Sequence, residues 1–190
     1  MRFSLRALFA FITATSITII IALLLTKDYR QRIALQAELL STGASYAHVG
    51  ENRAIQSLVF IQPVSAADFK KYRAIGTLDL KYFTVDANCL KAFAGLEQIN
   101  RLMFNNCTIP DERDLSQLSK IGDIRSLLFW NTPVDDAAID AIIEVPGLEI
   151  VSFRNTKVTQ AGLDKLRLAR PELRVDDSPV VIGNGAAKSP

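Results

Sequence analysis

The sequence predicts an α/β fold. It is a short right-handed solenoid of about four repeats, each of about 24–25 residues, with parallel strands concave and helices convex, behind an N-terminal transmembrane helix. Three observations predict it. A five-position apolar pattern that starts at Ile75 recurs from Ile99, Ile124 and Leu148 at nearly constant intervals. A second apolar set at helical spacing follows each copy. Nineteen residues free of charge, Ala7 to Leu25, precede them all. The implied boundaries are a basic flank over residues 1–6, the span over 7–26, a juxtamembrane helix and cap over 27–53, the repeat domain over 54–177 and a flexible tail over 178–190.

As a helix, Ala7 to Leu25 is about 28 Å long, close to the roughly 30 Å hydrocarbon core of a bilayer. Thr13, Thr15, Ser16 and Thr18 interrupt the run. Helical hydroxyls bond back to a carbonyl one turn earlier, so lipid tolerates them. A cleaved secretory signal starts with the same basic flank but has a shorter apolar stretch and small residues at a cleavage site. None suitable follows Leu25, where Thr26, Lys27, Asp28, Tyr29 and Arg30 instead supply interfacial anchors. The expectation is a signal-anchor in a single-pass membrane protein. Arg2 and Arg6 on one side nearly balance Lys27, Arg30 and Arg32 on the other. Retention of the basic start then places the C-terminal domain outside the cytoplasm.

After the span, residues 29–40 read as a helix with Ile33, Ala37 and Leu40 on one face, stopped at Ser41, Thr42 and Gly43. Strands over 44–49 and 57–61 are expected to cap the repeats. Pro63 opens a partial repeat whose Phe69 and Tyr72 face the core.

Each full repeat reads L-x-x-L-x-L-x-x-[N/C]-x-L, with other apolar residues allowed at the Leu positions. The first copy holds Ile75, Leu78, Leu80, Phe83 and Val85, and the second Ile99, Leu102, Phe104, Cys107 and Ile109. The third holds Ile124, Leu127, Phe129, Thr132 and Val134, and the fourth Leu148, Val151, Phe153, Thr156 and Val158. Behind them lie Leu90, Phe93 and Leu96; Leu115, Leu118 and Ile121; Ile139, Ile142 and Val145; and Leu163, Leu166 and Ala169. The L-x-L strand sends two side chains inward and the helix returns over them. No single repeat buries that face, so stacking is required. Leu173 and Val175 finish the ladder, Asp176 to Pro179 break it, and the small, polar stretch 183–190 reads as disordered.

These copies, with turns such as Lys157-Val158-Thr159-Gln160-Ala161-Gly162-Leu163, resemble the leucine-rich-repeat family over about Ala54 to Val175. The resemblance is to its Cys- or Thr-bearing, ribonuclease-inhibitor-like class. The opening Met1 to Arg6 before an apolar helix also looks like short bacterial membrane-anchored proteins that carry such repeats. The resemblance implies that the [N/C] side chain bonds backbone groups of the neighbouring turn. Cys107, Thr132 and Thr156 suit that role; Phe83 does not, a departure that fits a capping turn.

Composition narrows the function. With 49% hydrophobic residues the chain has enough apolar side chains for a core. Of 22 Lys and Arg, two precede the apolar stretch, which leaves 20 facing all 20 acidic residues. A neutral domain without a basic run gains little from counterion release, so nucleic acid is not an expected partner. The two cysteines, Cys89 and Cys107, are too few for a disulfide framework and lack the neighbours of a zinc site.

No enzyme is expected, and no catalytic, cofactor-binding or metal-binding residue is assigned. His48 is the sole histidine, which removes paired-His metal motifs and leaves one imidazole for any nucleophile. Gly183-Asn184-Gly185 lacks the flanking strand and helix of a phosphate loop. The acidic pairs Asp111-Glu112, Asp135-Asp136 and Asp176-Asp177 sit in turns, where carboxylates cap backbone amides. Cys107 reads as a small buried ladder residue. Asn106, Asn131 and Asn155 stand before the [N/C] position as turn residues.

The informative positions lie between the inward strand residues, on the concave face. They form three rows: Thr77, Arg101, Ser126, Ile150; Asp79, Met103, Leu128, Ser152; and Lys81, Asn105, Trp130, Arg154. Met103, Leu128, Trp130 and Ile150 are expected to cluster in the open with Arg101 and Arg154 at the rim, a composition that interface hot spots favour. The expected function is a non-catalytic, membrane-anchored protein-interaction module binding a protein partner through these six residues. The alternative is a structural or self-associating envelope protein.

Overall fold

Alternation of apolar and polar residues sends every second side chain to the same face of a strand, and the repeated L-x-L segments satisfy it. A computed structural model describes residues 16–17, 27–64 and 69–176. It contains a helix over residues 27–41 (α1) and seven strands: β1 (Tyr46–Val49), β2 (Ile55–Phe60), β3 (Ala74–Lys81), β4 (Gln98–Asn105), β5 (Asp123–Trp130), β6 (Ile150–Arg154) and β7 (Arg174–Asp176). They form one sheet in sequence order. β1 pairs antiparallel with β2, and every later pair is parallel.

The register carries the sequence repeat into space. Leu78 pairs with Leu102, Leu102 with Leu127, Leu127 with Val151 and Val151 with Val175. Strand β2, expected in a cap, extends the parallel ladder: Ile55, Leu58 and Phe60 pair with Ile75, Leu78 and Leu80. Its Ile-x-x-Leu-x-Phe spacing is the repeat's own, although Ile55 precedes Ile75 by less than a full repeat.

The connections after β3 are of two kinds. Only α2 (Ala87–Lys91), α3 (Ala138–Ile143) and α4 (Gln160–Ala169) are α-helical, and Glu112–Lys120 is a 3-10 helix. A strict three-residue apolar spacing is the period of a 3-10 helix, and it lines Leu115 and Leu118 on one edge with Ile121 just beyond. All the inward connection residues are buried except Ala169, which is exposed.

Two expectations are corrected. The fold is not a four-repeat solenoid behind a transmembrane helix but an α/β unit with a seven-stranded, mostly parallel sheet. Among the described residues no helix is long and apolar enough to cross a membrane, so the single-pass, signal-anchored localisation is not carried forward. The longest described helix, α1, is too highly charged for a bilayer core. It carries Lys27, Asp28, Arg30, Arg32 and Glu38. The expected span over 7–26 lies outside the described residues except for Ser16 and Ile17.

One apolar core runs from Leu39 to Leu173. At its centre Phe104, Phe129 and Phe153 stack with centroids 5.0 and 5.8 Å apart and planes within 7° and 3°. Near β2, Phe60, Phe69, Phe93 and Tyr72 form a second aromatic group.

Hydrogen bonds between turns tie the strand ends together. The buried Thr132 hydroxyl donates to the Phe104 carbonyl (3.2 Å) or its own turn's Trp130 carbonyl (3.1 Å), and accepts from the Cys107 amide at 3.3 Å. The Cys107 thiol donates to the Leu80 carbonyl at 3.1 Å. Thr156 instead accepts from Val158 within its own turn. Carboxylates do similar work: Asp114 accepts from the Ala87 amide, Glu112 from the Asp135 amide and Asp136 from the Thr159 amide. Asp111 accepts from an amide of the helix it precedes, as its turn position predicted, and Asp86 does the same for α2.

Candidate functional site

With the apolar side chains turned into the core, β4, β5 and β6 set three residues each on the opposite, outer face. The register aligns Arg101, Ser126 and Ile150 in one row, Met103, Leu128 and Ser152 in the next, and Asn105, Trp130 and Arg154 in the third. β7 extends the first two rows with Arg174 and Asp176.

The six predicted site residues, Arg101, Met103, Leu128, Trp130, Ile150 and Arg154, line one pocket of about 260 Å³ together with Ser126 and Asp176. The four apolar ones are not in the open as expected. Met103 is 9% exposed, and Leu128, Trp130 and Ile150 are half-buried. The physical reason is the position of Arg154. Its guanidinium lies 5.5 Å from the Trp130 ring centroid, in cation–π geometry, and donates from Nη2 to Asp176 Oδ2 at 3.0 Å. The Ser152 hydroxyl, fully buried, donates to the same carboxylate at 3.4 Å. Arg154 is therefore part of the wall, while Arg101 stays exposed at the rim.

Two donors of this group lack an acceptor: Trp130 Nε1 and Arg154 Nε are both buried without a hydrogen-bond partner. Leaving a buried donor unsatisfied costs about 1–3 kcal/mol. Beside Met103, Asp79 is 7% exposed, with Oδ2 3.0 Å from Lys81 Nζ and Oδ1 unpaired. Burial pushes the Asp79 carboxyl above its ordinary range against the opposing pull of Lys81.

Sequence reasoning missed Asp176 and Arg174 as face residues because the ladder was taken to break at Asp176 and the rows stopped at the fourth repeat. Counting one repeat on from Ser152 and Ile150 reaches both. It also missed a second pocket of about 530 Å³ at the starts of β2 and β3. Arg53, Lys71 and Arg73 line it, under a turn where Asn52 and Arg53 take φ of 56° and 60°. Lys71 pairs with Glu38 and Arg73 with Glu97, so two of these three cations are already neutralised. No motif marks it.

The other chemically suggestive residues are not assembled into a reactive group. His48 is exposed on β1 opposite Ser57 in register, and no side-chain hydrogen bond joins them. Both thiols are buried; burial pushes Cys89 up to about 11 and raises Cys107 too, which keeps them protonated near neutral pH. Among the described residues no group of three or more His, Cys, Asp or Glu is placed to hold a metal ion. Asp177 and the Gly183 to Gly185 stretch lie outside the described residues. No protein-family model matches the chain, and no curated protein or solved structure shows a significant similarity to it.

Proposed function

We propose that this chain is a non-catalytic protein-interaction module that recognises a partner on the outer face of β4 to β7, around Trp130. The observation that carries the reading is the convergence of six residues from three adjacent strands on one recess, with a tryptophan, an apolar floor and an arginine rim. That is the composition in which interface energy concentrates. Its size supports the same reading. At about 260 Å³ the recess is smaller than the roughly 300–1,000 Å³ of small-molecule sites, and suits one protruding side chain. The repeated register and the Cys107 and Thr132 bonds support placing the chain with the leucine-rich-repeat family. Self-association draws less support. β7 has three residues and the β1 register breaks between His48 and Val49, both of which blunt edge-to-edge pairing.

The test is cross-linking in the native cell with full-length wild type, Trp130→Ala and Trp130→Phe. A partner captured by wild type and Trp130→Phe is expected to fall sharply with Trp130→Ala, since truncating an anchoring tryptophan costs about 2 kcal/mol or more. An identical set of cross-linked proteins for all three, or contacts between copies of this chain alone, defeats the proposal.

A further inference from the structure

We infer that the partner segment at this face is acidic, with carboxylates on both sides of one apolar anchoring side chain. The inference rests on the reading of the outer face as a recognition surface and names the chemistry it selects. Charge complementarity carries it. The carboxylates of the face each already hold one cation, Asp79 through Oδ2 with Lys81 and Asp176 with Arg154, each at 3.0 Å. Arg101 and Arg174 are exposed and, among the described residues, have no ion-pair partner.

These two arginines share one row. Arg101 pairs in register with Ser126, Ser126 with Ile150 and Ile150 with Arg174. Three interstrand steps of about 4.8 Å separate them by roughly 14 Å, with the recess of Met103, Leu128 and Trp130 beside the interval. An extended chain rises about 3.3 Å per residue, so carboxylates four residues apart span nearly the same distance. The side chain midway between them is then placed to enter the recess. Guanidinium groups suit carboxylates through their fork of donors.

The experiment selects peptides from a random twelve-residue display library on the immobilised full chain, then titrates the selected synthetic peptides in solution. Trp130 is the sole tryptophan, so its emission reports occupancy of this face. The expected result is enrichment of sequences with Asp or Glu on both sides of an apolar residue. They should shift Trp130 emission, weaken with added salt and lose at least tenfold in affinity against the Arg101→Gln, Arg174→Gln double variant. Both arginines are exposed, so the variant leaves the core intact. The Arg101→Glu, Arg174→Glu variant is expected to select basic flanks instead. Peptides that shift Trp130 emission but carry neutral or basic flanks overturn the acidic specificity and leave the recognition surface standing. Peptides that bind without moving Trp130 emission, or no binding peptide at all, overturn both.

Discussion

Tyr82, Asn106, Asn131 and Asn155 occupy the same place after four successive strands, and each takes a left-handed conformation with φ between 50° and 63°. For most side chains that region costs about 1–2 kcal/mol, whereas Asn enters it readily because its short amide bonds locally. Asn106 shows this, donating to Asn105 Oδ1 at 2.7 Å, while Asn155 donates to Asn131 Oδ1 of the neighbouring turn at 2.9 Å. Tyr82 has no such compensation and is 68% exposed. Tyr82→Asn is therefore expected to stabilise the fold by about 0.5–1 kcal/mol, read as a thermal midpoint raised by a few degrees. A lowered midpoint contradicts the assignment of strain. The three asparagines were legible in the sequence as turn residues. The strain at Tyr82 was not, since Tyr carries no turn signal of its own.

At the scale of elements, the close packing of successive connections depends on Gly122. A Cβ built there lies 2.1 Å from the Glu97 carbonyl oxygen and 2.5 Å from that of Leu96. Both are backbone atoms fixed by bonds from the Asp123 and Gly122 amides. Gly122→Ala is expected to cost more than about 2 kcal/mol, seen as a lower urea midpoint with an unchanged slope. A wild-type midpoint would show that the turn has room to move. Strand positions were readable because a period of two and a nearly constant repeat length leave little ambiguity. The connections were less so, because a set spaced by three fits an α-helix face and a 3-10 edge alike. β2 was expected as a capping strand rather than a rung of the ladder because Ile55 stands closer to Ile75 than one full repeat, although its apolar spacing matched.

For the whole molecule, acid stability combines opposed groups. Asp136 is held below the ordinary carboxylate range by the Thr159 hydroxyl and amide, Asp111 and Glu172 by Arg113 and Arg170, and Glu38 by Lys71. Each contributes stability above the unfolded pKa, lost as pH falls through the lowered folded value. Glu112, like Asp79, is raised by burial, so its charged form costs stability that is recovered as pH falls through the raised value. Stability is thus expected to hold or rise slightly from neutral toward about pH 5, then fall below about pH 4. Glu112→Gln keeps an acceptor for the Asp135 amide and is expected to reduce the acid-side rise, checked by urea midpoints across pH. A steady decline from neutral pH in wild type contradicts this balance. The clustering of the six residues was legible at this scale too, because rows counted from the repeat set them on one face. The depth of the recess was not, because Arg154 covers Trp130 only once β7 brings Asp176 alongside.

The stack of Phe104, Phe129 and Phe153 has a consequence for whatever meets the outer face. Adjacent strands usually rotate by about 20–25° against one another, and side-chain ladders are among the few devices that resist it. Here three rings keep one orientation at steps of 5.0 and 5.8 Å. The core thereby acts as a ruler for its own reverse side. Outer residues of β4, β5 and β6 recur in register, and a ligand crossing them meets one mark per strand.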